Sequence, residues 1–383
     1  MNRYLFLCVS VFFAAITVLP MTATASWQPE ITIGLSQDVS EVRLSATSGT
    51  LYVYDDPEKE PMMKIPQGRE FAVRMMQDRF LANEKELKGE RFVIQPESTG
   101  FVQVNGIPYR GFITLLKKPR GMTVINNVPV EDYLYGVVPK EMPPSWSAEA
   151  LRAQSVAART FALKNRKRHS AEGFDLCSTA HCQVYEGMSA EMQSTTAAVN
   201  STRGEVLFYQ GAIIDAFFHT DSGGMTEFSE HVWGSSVPYL RAVKELRTQT
   251  QPWSRTVSMA SFVQKIEAGG KNLGMLKEIR LSPLTVGKGS TDRTSSGRVR
   301  AAEFVGTKGR ISLSGNDLRS MFSLPNTLFD IRAGRTEVVF SGYGSGHGLG
   351  LSQWGAKALA DSGKGYKDIL LYYYSGVTLE KIY

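Results

Sequence analysis

After its first 25 residues, this sequence has no apolar run long enough to cross a bilayer. The one strongly apolar stretch, Leu5 to Leu19, follows Arg3 and is shorter than the about 20 residues that a spanning helix needs. Ala23-Thr24-Ala25 then supplies a cleavage site, so residues 1–25 are interpreted as a secretory signal peptide, with an uncleaved anchor as the alternative. We therefore expect an exported protein, in the periplasm or at the outer face of the cytoplasmic membrane and in the cell wall, with no transmembrane segment after cleavage.

Cysteine is also scarce, with three residues in the chain. Cys8 would leave with the signal peptide, and only Cys177 and Cys182 remain. In an oxidising compartment a close pair of cysteines favours a disulfide. Zinc is the alternative, because Cys177, His181 and Cys182 carry thiol and imidazole ligands. These are three ligands where a structural zinc site has four, and their spacing is not that of a zinc finger, so the disulfide is preferred and zinc stays open.

A basic stripe with interleaved aromatic residues is absent as well, which argues against a nucleic-acid partner. The formal net charge is +6, a mild excess that suits an anionic partner such as a cell wall or a membrane surface. Hydrophobic residues make up 42% and charged residues 21% of the chain, which is typical of a soluble globular protein.

Hydrophobic periodicity predicts an α+β fold that is mixed, β-rich and built around a few buried helices. From residue 27 to about residue 125, short β-branched and aromatic runs alternate with turn residues. Beyond that region the spacing of apolar residues predicts helices, and one β-hairpin, over these segments: helices at 130–138, 148–167, 259–267, 352–361 and 366–374, and a hairpin of 206–209 with 213–218.

Glu141 lies in the segment Pro139-Lys140-Glu141-Met142-Pro143, between two of the predicted helices. Pro139 is expected to end the first helix, and a residue that precedes a proline is pushed to extended backbone angles. A carboxyl held in such a turn beside a buried helix is partly desolvated, and desolvation raises its pKa, as a general acid requires near neutral pH. A solvated turn glutamate is the alternative.

The helix predicted at 148–167 is apolar on nearly every face, with Ser147 as its cap, and such a helix is buried. It nevertheless carries Gln154 and Arg159. Polar groups on a buried helix must be hydrogen-bonded or functional. We expect both residues to give structural support, with the Glu141 turn as one element that they could anchor.

The segment that contains the two cysteines continues to Tyr185. If it is extended, alternate residues lie on one side, so His181, Gln183 and Tyr185 are candidates to face a cleft. A second candidate is the strand and turn at 218–227, which presents His219, Ser222 and Gly223. Glycine there permits unusual backbone angles and close approach of a ligand, although a plain turn fits equally well.

Five glycines alternate with other residues between Gly342 and Gly350, just before a predicted helix. The dinucleotide fingerprint is missing, because no frame gives G-x-G-x-x-G and no βαβ unit surrounds it. The nucleophile elbow is missing too, because Tyr343 stands where a glycine is required. What remains is a tightly packed loop that presents His347 and Gln353.

Together and in order, these segments resemble the SpoIID/LytB family, which includes stage II sporulation protein D and an amidase-enhancer branch. The resemblance covers roughly residues 100 to 380 and is specific in 131–143, 149–160, 181–185, 218–224, 238–240, 296–299, 313–315 and 344–353. It implies a β-rich N-terminal region at 26–110 and a catalytic domain of this family at 111–383, folded around a substrate cleft.

The resemblance also implies an activity, that of a lytic transglycosylase. Such an enzyme would cleave the MurNAc–GlcNAc bond of peptidoglycan strands that have lost their stem peptides and leave 1,6-anhydro-MurNAc ends. The family's catalytic glutamate falls on Glu141. No cofactor is required, and zinc near Cys177 to Cys182 stays open because some family members carry one there. We predict that the remaining candidates bind sugar: His181, Gln183, Tyr185, His219, Ser222, Gly223, His347 and Gln353.

A non-catalytic protein is the main alternative. The amidase-enhancer branch implies a glycan-binding protein that stimulates a separate N-acetylmuramoyl-L-alanine amidase, which would then be a partner. A zinc hydrolase that uses His181, the two cysteines and His219 or His347 is a third class.

Overall fold

The computed structural model describes residues 27–83, 85–246, 252–268 and 272–383, so the predicted signal peptide and Cys8 lie outside the described residues. Within this part of the chain, twelve strands precede the first helix: β1 (Glu30–Val39), β2 (Glu41–Ala46), β3 (Thr50–Tyr54), β4 (Met63–Pro66), β5 (Phe71–Met76), β6 (Arg79–Ala82), β7 (Lys85–Leu87), β8 (Arg91–Pro96), β9 (Val102–Val104), β10 (Ile107–Tyr109), β11 (Phe112–Lys118) and β12 (Gly121–Pro129).

The twelve strands form two sheets that share one hydrophobic core. One sheet has the order β1-β12-β11-β8-β3-β4, and the later strand β13 (Leu176–Cys177) joins its β1 edge in parallel. The other has the order β10-β9-β2-β5-β6-β7. Buried and more exposed residues alternate along β2, which is the period of a strand with one face in a core. The predicted division after residue 110 falls between β10 and β11, and the first sheet contains strands from both sides of it.

Helices α1 (Val130–Glu141), α2 (Ala148–Lys164) and α3 (Gln193–Ser201) follow, with a 3-10 turn at Gly187–Ala190. The buried helix predicted at 148–167 is confirmed as α2 and ends three residues early. Its Ala158 and Ala162 pack into the core of the two sheets, while Ala153 and Ala157 pack into a second core. Because these alanine side chains are small, α2 can pack closely against both cores at once.

Helix α1 runs through Pro139, and the prediction that this proline ends it is wrong. A proline removes one N–H from a helix, and here only Lys140 and Glu141 follow it, so α1 loses one hydrogen bond without being broken. The N–H of Met142 still donates to the carbonyl of Val138, at 3.0 Å. Met142 itself is extended (φ −136°, ψ 134°), as its place before a proline predicts, so Glu141 is the last helical residue.

The second half of the described chain contains smaller sheets and five more helices. They are β14 (Glu205–Tyr209), β15 (Ala212–Ile213), β16 (Phe218–His219), α4 (Ser229–Trp233), β17 (Pro252–Ser258), α5 (Met259–Ile266), β18 (Leu276–Arg280), β19 (Ala301–Gly306), β20 (Arg310–Ser314), α6 (Gly315–Phe322), β21 (Phe329–Ala333), β22 (Glu337–Tyr343), β23 (Leu351–Ser352), α7 (Gln353–Asp361), α8 (Tyr366–Tyr373) and β24 (Thr378–Lys381).

The predicted helices at 259–267, 352–361 and 366–374 are confirmed as α5, α7 and α8. The predicted hairpin is confirmed only at its turn, where β14 pairs with β15. The chain then leaves that sheet, and β16 pairs in parallel with β23. This pairing joins His219 to Ser352, the cap of α7. Two predicted site segments are thereby brought side by side.

The three largest hydrophobic cores of the described residues organise the fold, and the observed α+β architecture confirms the predicted fold class. The first lies between the two large sheets, the second holds α2 against α7 and α8, and the third lies among β17 to β22 with α5 and α6. Among the described residues, no helix has both the length and the apolar character needed to cross a membrane.

Candidate functional site

An open cleft of about 690 Å³ is lined by residues of α1, α2, β16, α4, α6 and α7 and of the loops between elements. Its lining comprises Glu141, Phe161, Arg168, Ala180, His181, Cys182, Val184, Phe217, Phe218, His219, Thr220, Trp233, Arg319, Gly346, His347 and Gln353. Six of the residues predicted from sequence therefore share one cavity: Glu141, His181, Cys182, His219, His347 and Gln353.

Glu141 presents a partly buried carboxyl to this cleft from the end of α1. The backbone N–H of Val184 donates to its Oε1 at 3.0 Å, and the side chain of Gln353 also hydrogen-bonds to the carboxyl. Burial raises the pKa of Glu141, and these two bonds offset only part of that effect. In the described part of the chain no cation pairs with Glu141, so the protonated form is favoured to higher pH than in an ordinary glutamate.

Gln353 is held in place by the start of α7. The hydroxyl of Ser352 caps this helix and accepts the N–H of Gly355 at 3.3 Å, and it also accepts the N–H of Ser222 at 3.3 Å. Gln353 is 5% exposed, so its amide has little freedom to turn away from Glu141.

His219 and His347 lie side by side, with ring centroids 5.4 Å apart. The Nδ1 of His219 lies 3.1 Å from the carbonyl oxygen of Leu349, so this nitrogen donates. Its Nε2 is then an acceptor, is buried, and has no hydrogen-bond partner among the described residues. In His347 the roles are reversed, because its Nδ1 accepts the N–H of Leu349 at 3.0 Å and its Nε2 carries the proton.

Both imidazoles are neutral at physiological pH. Burial lowers the pKa of His219 well below its usual range, and the positive charge of Arg298 adds to this effect. Burial, helped by the charges of Arg319 and Arg298, lowers the pKa of His347 to about 4. The Nε2–H of His347 donates to the backbone carbonyl of Phe218, so the free group is the neutral acceptor Nε2 of His219, which suits a hydroxyl or amide donor of an uncharged polar ligand.

Ser222 and Gly223 do not line the cleft. The hydroxyl of Ser222 is buried and accepts the N–H of Gly224 at 3.0 Å, and its carbonyl accepts Nη2 of Arg298 at 2.7 Å. Gly223 has φ +80°, and a Cβ there would lie 2.4 Å from Cδ2 of Leu328. The turn thus needs glycine for its own close packing, and the plain-turn alternative describes it best.

Gln183 and Tyr185 also lie outside the cleft lining, and the expected alternation along 181–185 is wrong. The N–H of Cys182 donates to the carbonyl of Thr179 at 3.0 Å, so the chain turns there and is not extended. Gln183 is fully buried and accepts the hydroxyl of Tyr133 at 3.1 Å, while the hydroxyl of Tyr185 donates to Asn126 at 2.8 Å. Both side chains support the wall from behind.

Arg159 and Gln154 are fully buried on α2, as predicted for structural residues. Arg159 forms a bidentate pair with Glu131, at 2.8 and 2.7 Å, so it fixes the first turn of α1 and not the Glu141 end. The two amide atoms of Gln154 have no hydrogen-bond partner among the described residues.

Cys177 and Cys182 are free thiols in the structure, each with its sulfur beside an imidazole, and the disulfide between them stays a prediction. The Sγ of Cys177 is 3.5 Å from Nδ1 of His181, and the Sγ of Cys182 is 3.4 Å from Nε2 of His169. Burial alone would raise the pKa of Cys177, but hydrogen bonds from Thr179, Cys182 and His181 bring it down to about 7.

These four side chains form a group that we call the Cys-His quartet: His169, Cys177, His181 and Cys182. Their donor atoms all lie within 4.8 Å of one another. Two thiolates and two imidazoles are the donor set of structural zinc sites, so the quartet fits the metal that the sequence left open. The ligand count from sequence was three because His169 was missed. It lies eight residues before Cys177, and a bridge between His169 and Phe174 folds it back.

Sequence reasoning also missed several lining residues that have no motif of their own. Trp233 is 45% exposed and packs against Phe217, with ring centroids 4.7 Å apart. Arg319 reaches the cleft from α6, and Arg168 reaches it from beyond the end of α2. The cleft therefore contains an aromatic ring and two cations in addition to the neutral polar groups.

The sequence profile described as SpoIID, stage II sporulation protein, matches residues 118–209, a segment that contains Glu141 and the Cys-His quartet. A protein of Brachyspira hyodysenteriae described only as uncharacterized is 33% identical over 308 residues, covering 78% of this chain and 78% of its own length. Stage II sporulation protein D of Bacillus amyloliquefaciens is 33% identical, over 67% of this chain and 76% of its own length. The amidase enhancer of Bacillus subtilis is 33% identical, over 64% of this chain and 40% of its own length.

Proposed function

The chain belongs to the SpoIID family, and from that premise we propose that it acts on the bacterial cell wall as a peptidoglycan lytic transglycosylase. The substrate would be a glycan strand without stem peptides, cut between MurNAc and GlcNAc. The observation that carries the proposal is the carboxyl of Glu141. It opens on a cleft, is partly buried, has a raised pKa and has no counter-cation in the described chain.

One carboxyl is sufficient for this reaction. Glu141 would donate its proton to the glycosidic oxygen as the bond from that oxygen to C1 breaks, which leaves a new 4-hydroxyl end. The carboxylate would then take the proton of the sugar's own 6-hydroxyl as O6 bonds to C1, which gives the 1,6-anhydro product. No water is consumed and Glu141 returns to its protonated form. A hydrolase would ordinarily need a second carboxylate across the bond, and Glu141 is the only carboxylate among the described residues of the lining.

The neutral groups around Glu141 would orient the sugar. The free Nε2 of His219 can accept a hydrogen bond from a sugar hydroxyl, and the amide of Gln353 can donate one. Trp233 offers an apolar face beside them. His181 turns Nδ1 toward the two sulfurs, which leaves its Nε2 for the ligand.

If the Cys-His quartet holds zinc, the metal would have four protein ligands and would tie the loop at 169–182 together as a structural centre. Four protein ligands leave no open position on the metal, so we place no step on it. The zinc-hydrolase alternative loses its basis, since neither His219 nor His347 belongs to the quartet.

The test is an assay of purified protein on peptide-free glycan strands, with anhydro-muramic ends as the readout. We expect Glu141→Gln to lower the rate by about 10²- to 10⁴-fold, the usual contribution of a general acid. Glu149→Gln is the control, because it changes a carboxyl outside the cleft and should leave the rate unchanged. Gln183→Glu would not serve as a control, because Gln183 is buried. Full activity of Glu141→Gln would refute the catalytic role.

The amidase-enhancer relative supports the second candidate, a glycan-binding protein that stimulates an amidase. The same assay separates the two. A protein that yields no anhydro ends, yet increases peptide release by an added N-acetylmuramoyl-L-alanine amidase, would be an enhancer. Either role is proposed for the outside of the cytoplasmic membrane, which N-terminal sequencing of the secreted protein for cleavage near Ala25 would check.

A further inference from the structure

Arg319 is a cation without a counter-charge. It projects from α6, is partly buried and lines the cleft. Among the described residues, no hydrogen bond or ion pair to its guanidinium is found. Two other buried arginines, Arg298 and Arg293, have such partners. Arg298 donates to Ser222 and Met225 carbonyls, and Arg293 pairs with Asp330.

The surroundings of Arg319 do not supply the missing negative charge. Glu141 is the only acidic residue in the cleft lining, and burial raises its pKa, which favours the neutral form. His347, which lies close enough to feel the charge of Arg319, is neutral. Arg168 adds a second cation to the same lining. A desolvated guanidinium that faces a cavity in these conditions is stabilised by an anionic ligand.

There is also room for a branch of the ligand beside Arg319. A smaller cavity of about 80 Å³ shares Arg319 and His347 with the cleft. Its one carboxylate, Glu227, is fully occupied by Thr294 and Ser296 at 2.5 and 2.7 Å and by His231. The cavity therefore leaves Arg319 free to bond a group that extends sideways from the sugar backbone.

We propose that Arg319 binds a carboxylate carried by the glycan, namely the free lactyl carboxylate of a muramic acid that has lost its stem peptide. This inference rests on the proposed function for its ligand. When the peptide is attached, the same carbon is a neutral amide and offers no charge. Arg319 would thus select strands without peptides by a charge-assisted, bidentate pair that only the free acid can form.

The test measures binding in the Glu141→Gln background, so that no turnover is needed. The ligands are a GlcNAc–MurNAc tetrasaccharide with free lactyl carboxylates, the same saccharide converted to its N-methylamides, and chitotetraose. We expect the free acid to bind best, and Arg319→Met to weaken its binding about 10- to 100-fold while leaving the methylamide unaffected. Arg319→Lys, which keeps the charge without the planar fork, should fall between.

Arg168→Met is the matched control, because it removes one positive charge from the same cleft at an exposed position. A screened surface charge should give a smaller loss that disappears at high salt. Equal binding of acid and methylamide by the parent protein, or a preference for the acid that persists in Arg319→Met, would overturn the assignment. Anhydro-sugar production is measured separately, so a carboxylate preference in a protein that makes no anhydro ends would refute the proposed function and leave this inference standing.

Discussion

Each end of helix α1 carries a glutamate that is at least partly buried, and the pKa values of the two carboxyls are shifted in opposite directions. Glu131, in the first turn, is fully buried and bonds to Arg159, to the backbone N–H of Gly204 at 3.1 Å and to the hydroxyl of Tyr383 at 2.7 Å. Glu141, the last residue, has one backbone donor and one neutral amide. Burial raises the pKa of each, but at Glu131 the charge and hydrogen bonds of Arg159 more than reverse the effect.

The comparison shows that burial alone does not make a carboxyl an acid catalyst. A cation in contact keeps the carboxyl ionised so that it holds the fold together, whereas without one the carboxyl holds its proton to higher pH than an ordinary glutamate. Glu131 is therefore a structural residue and Glu141 a residue suited to proton transfer, although both belong to the same helix. The difference lies in which residues the neighbouring elements bring to each end.

The largest effect that sharpens this comparison is expected from Arg159→Met. It leaves the carboxylate of Glu131 buried without its cation, which typically costs about 3–5 kcal/mol of unfolding free energy. Arg152→Met on the same helix is the matched control. Its ion pair with Glu149 is about one-third exposed, and loss of such a pair should cost less than about 1 kcal/mol.

Urea denaturation of both variants provides the measurement. The double variant Glu131→Gln with Arg159→Met should recover part of the loss, because it no longer buries an unpaired charge. Equal losses in Arg159→Met and Arg152→Met would show that the buried pair is not the anchor that the comparison requires.

A smaller effect is expected from Tyr383→Phe, which removes the hydroxyl that donates to Glu131 from the last residue of the chain. A hydrogen bond to a charged group contributes about 1.5–3 kcal/mol, and the variant should lose stability in that range. Tyr372→Phe is a control on a partly exposed tyrosine of α8. A Tyr383→Phe protein as stable as the parent would mean that the C-terminus does not help to fix the first turn of α1.

Sequence patterns predicted the parts of this site whose signal is local. The proline turn made Glu141 a candidate with a solvated glutamate as the alternative, and the family resemblance gave it the catalytic role. The apolar faces of α2 predicted that helix, and the start of a helix after a glycine-rich loop indicated Gln353. Each of these depends on residues within a few positions along the chain. The error at Pro139 was small, because the proline lies so near the end of α1 that one lost hydrogen bond is tolerated.

What the sequence could not supply are the contacts made by distant elements. His169 joins Cys177 through a bridge that folds the chain back, and Arg319 reaches the cleft from a helix that was not predicted. The imidazole beside each sulfur is likewise set by the tertiary fold. Burial of Gln183 depends on a turn that the pattern of residues did not reveal.

The smallest effect, and the one that tests the comparison by its sign, is the stability of Glu141→Gln as a function of pH. Because the folded protein holds the Glu141 proton more tightly than the unfolded chain, ionising this group costs stability as the pH rises through the raised pKa. At about pH 8 the amide should therefore stabilise the fold, and at about pH 4 the two proteins should be nearly equal. Glu131→Gln should do the reverse. The lowered pKa of Glu131 gives stability that is present above the ordinary pKa of a glutamate and is lost as the pH falls through the pKa of the folded state.

The denaturation midpoints of both variants at the two pH values provide the test. If Glu141→Gln is less stable than the parent at high pH, its carboxylate is held by favourable contacts in the folded state and the contrast between the two ends of α1 does not exist.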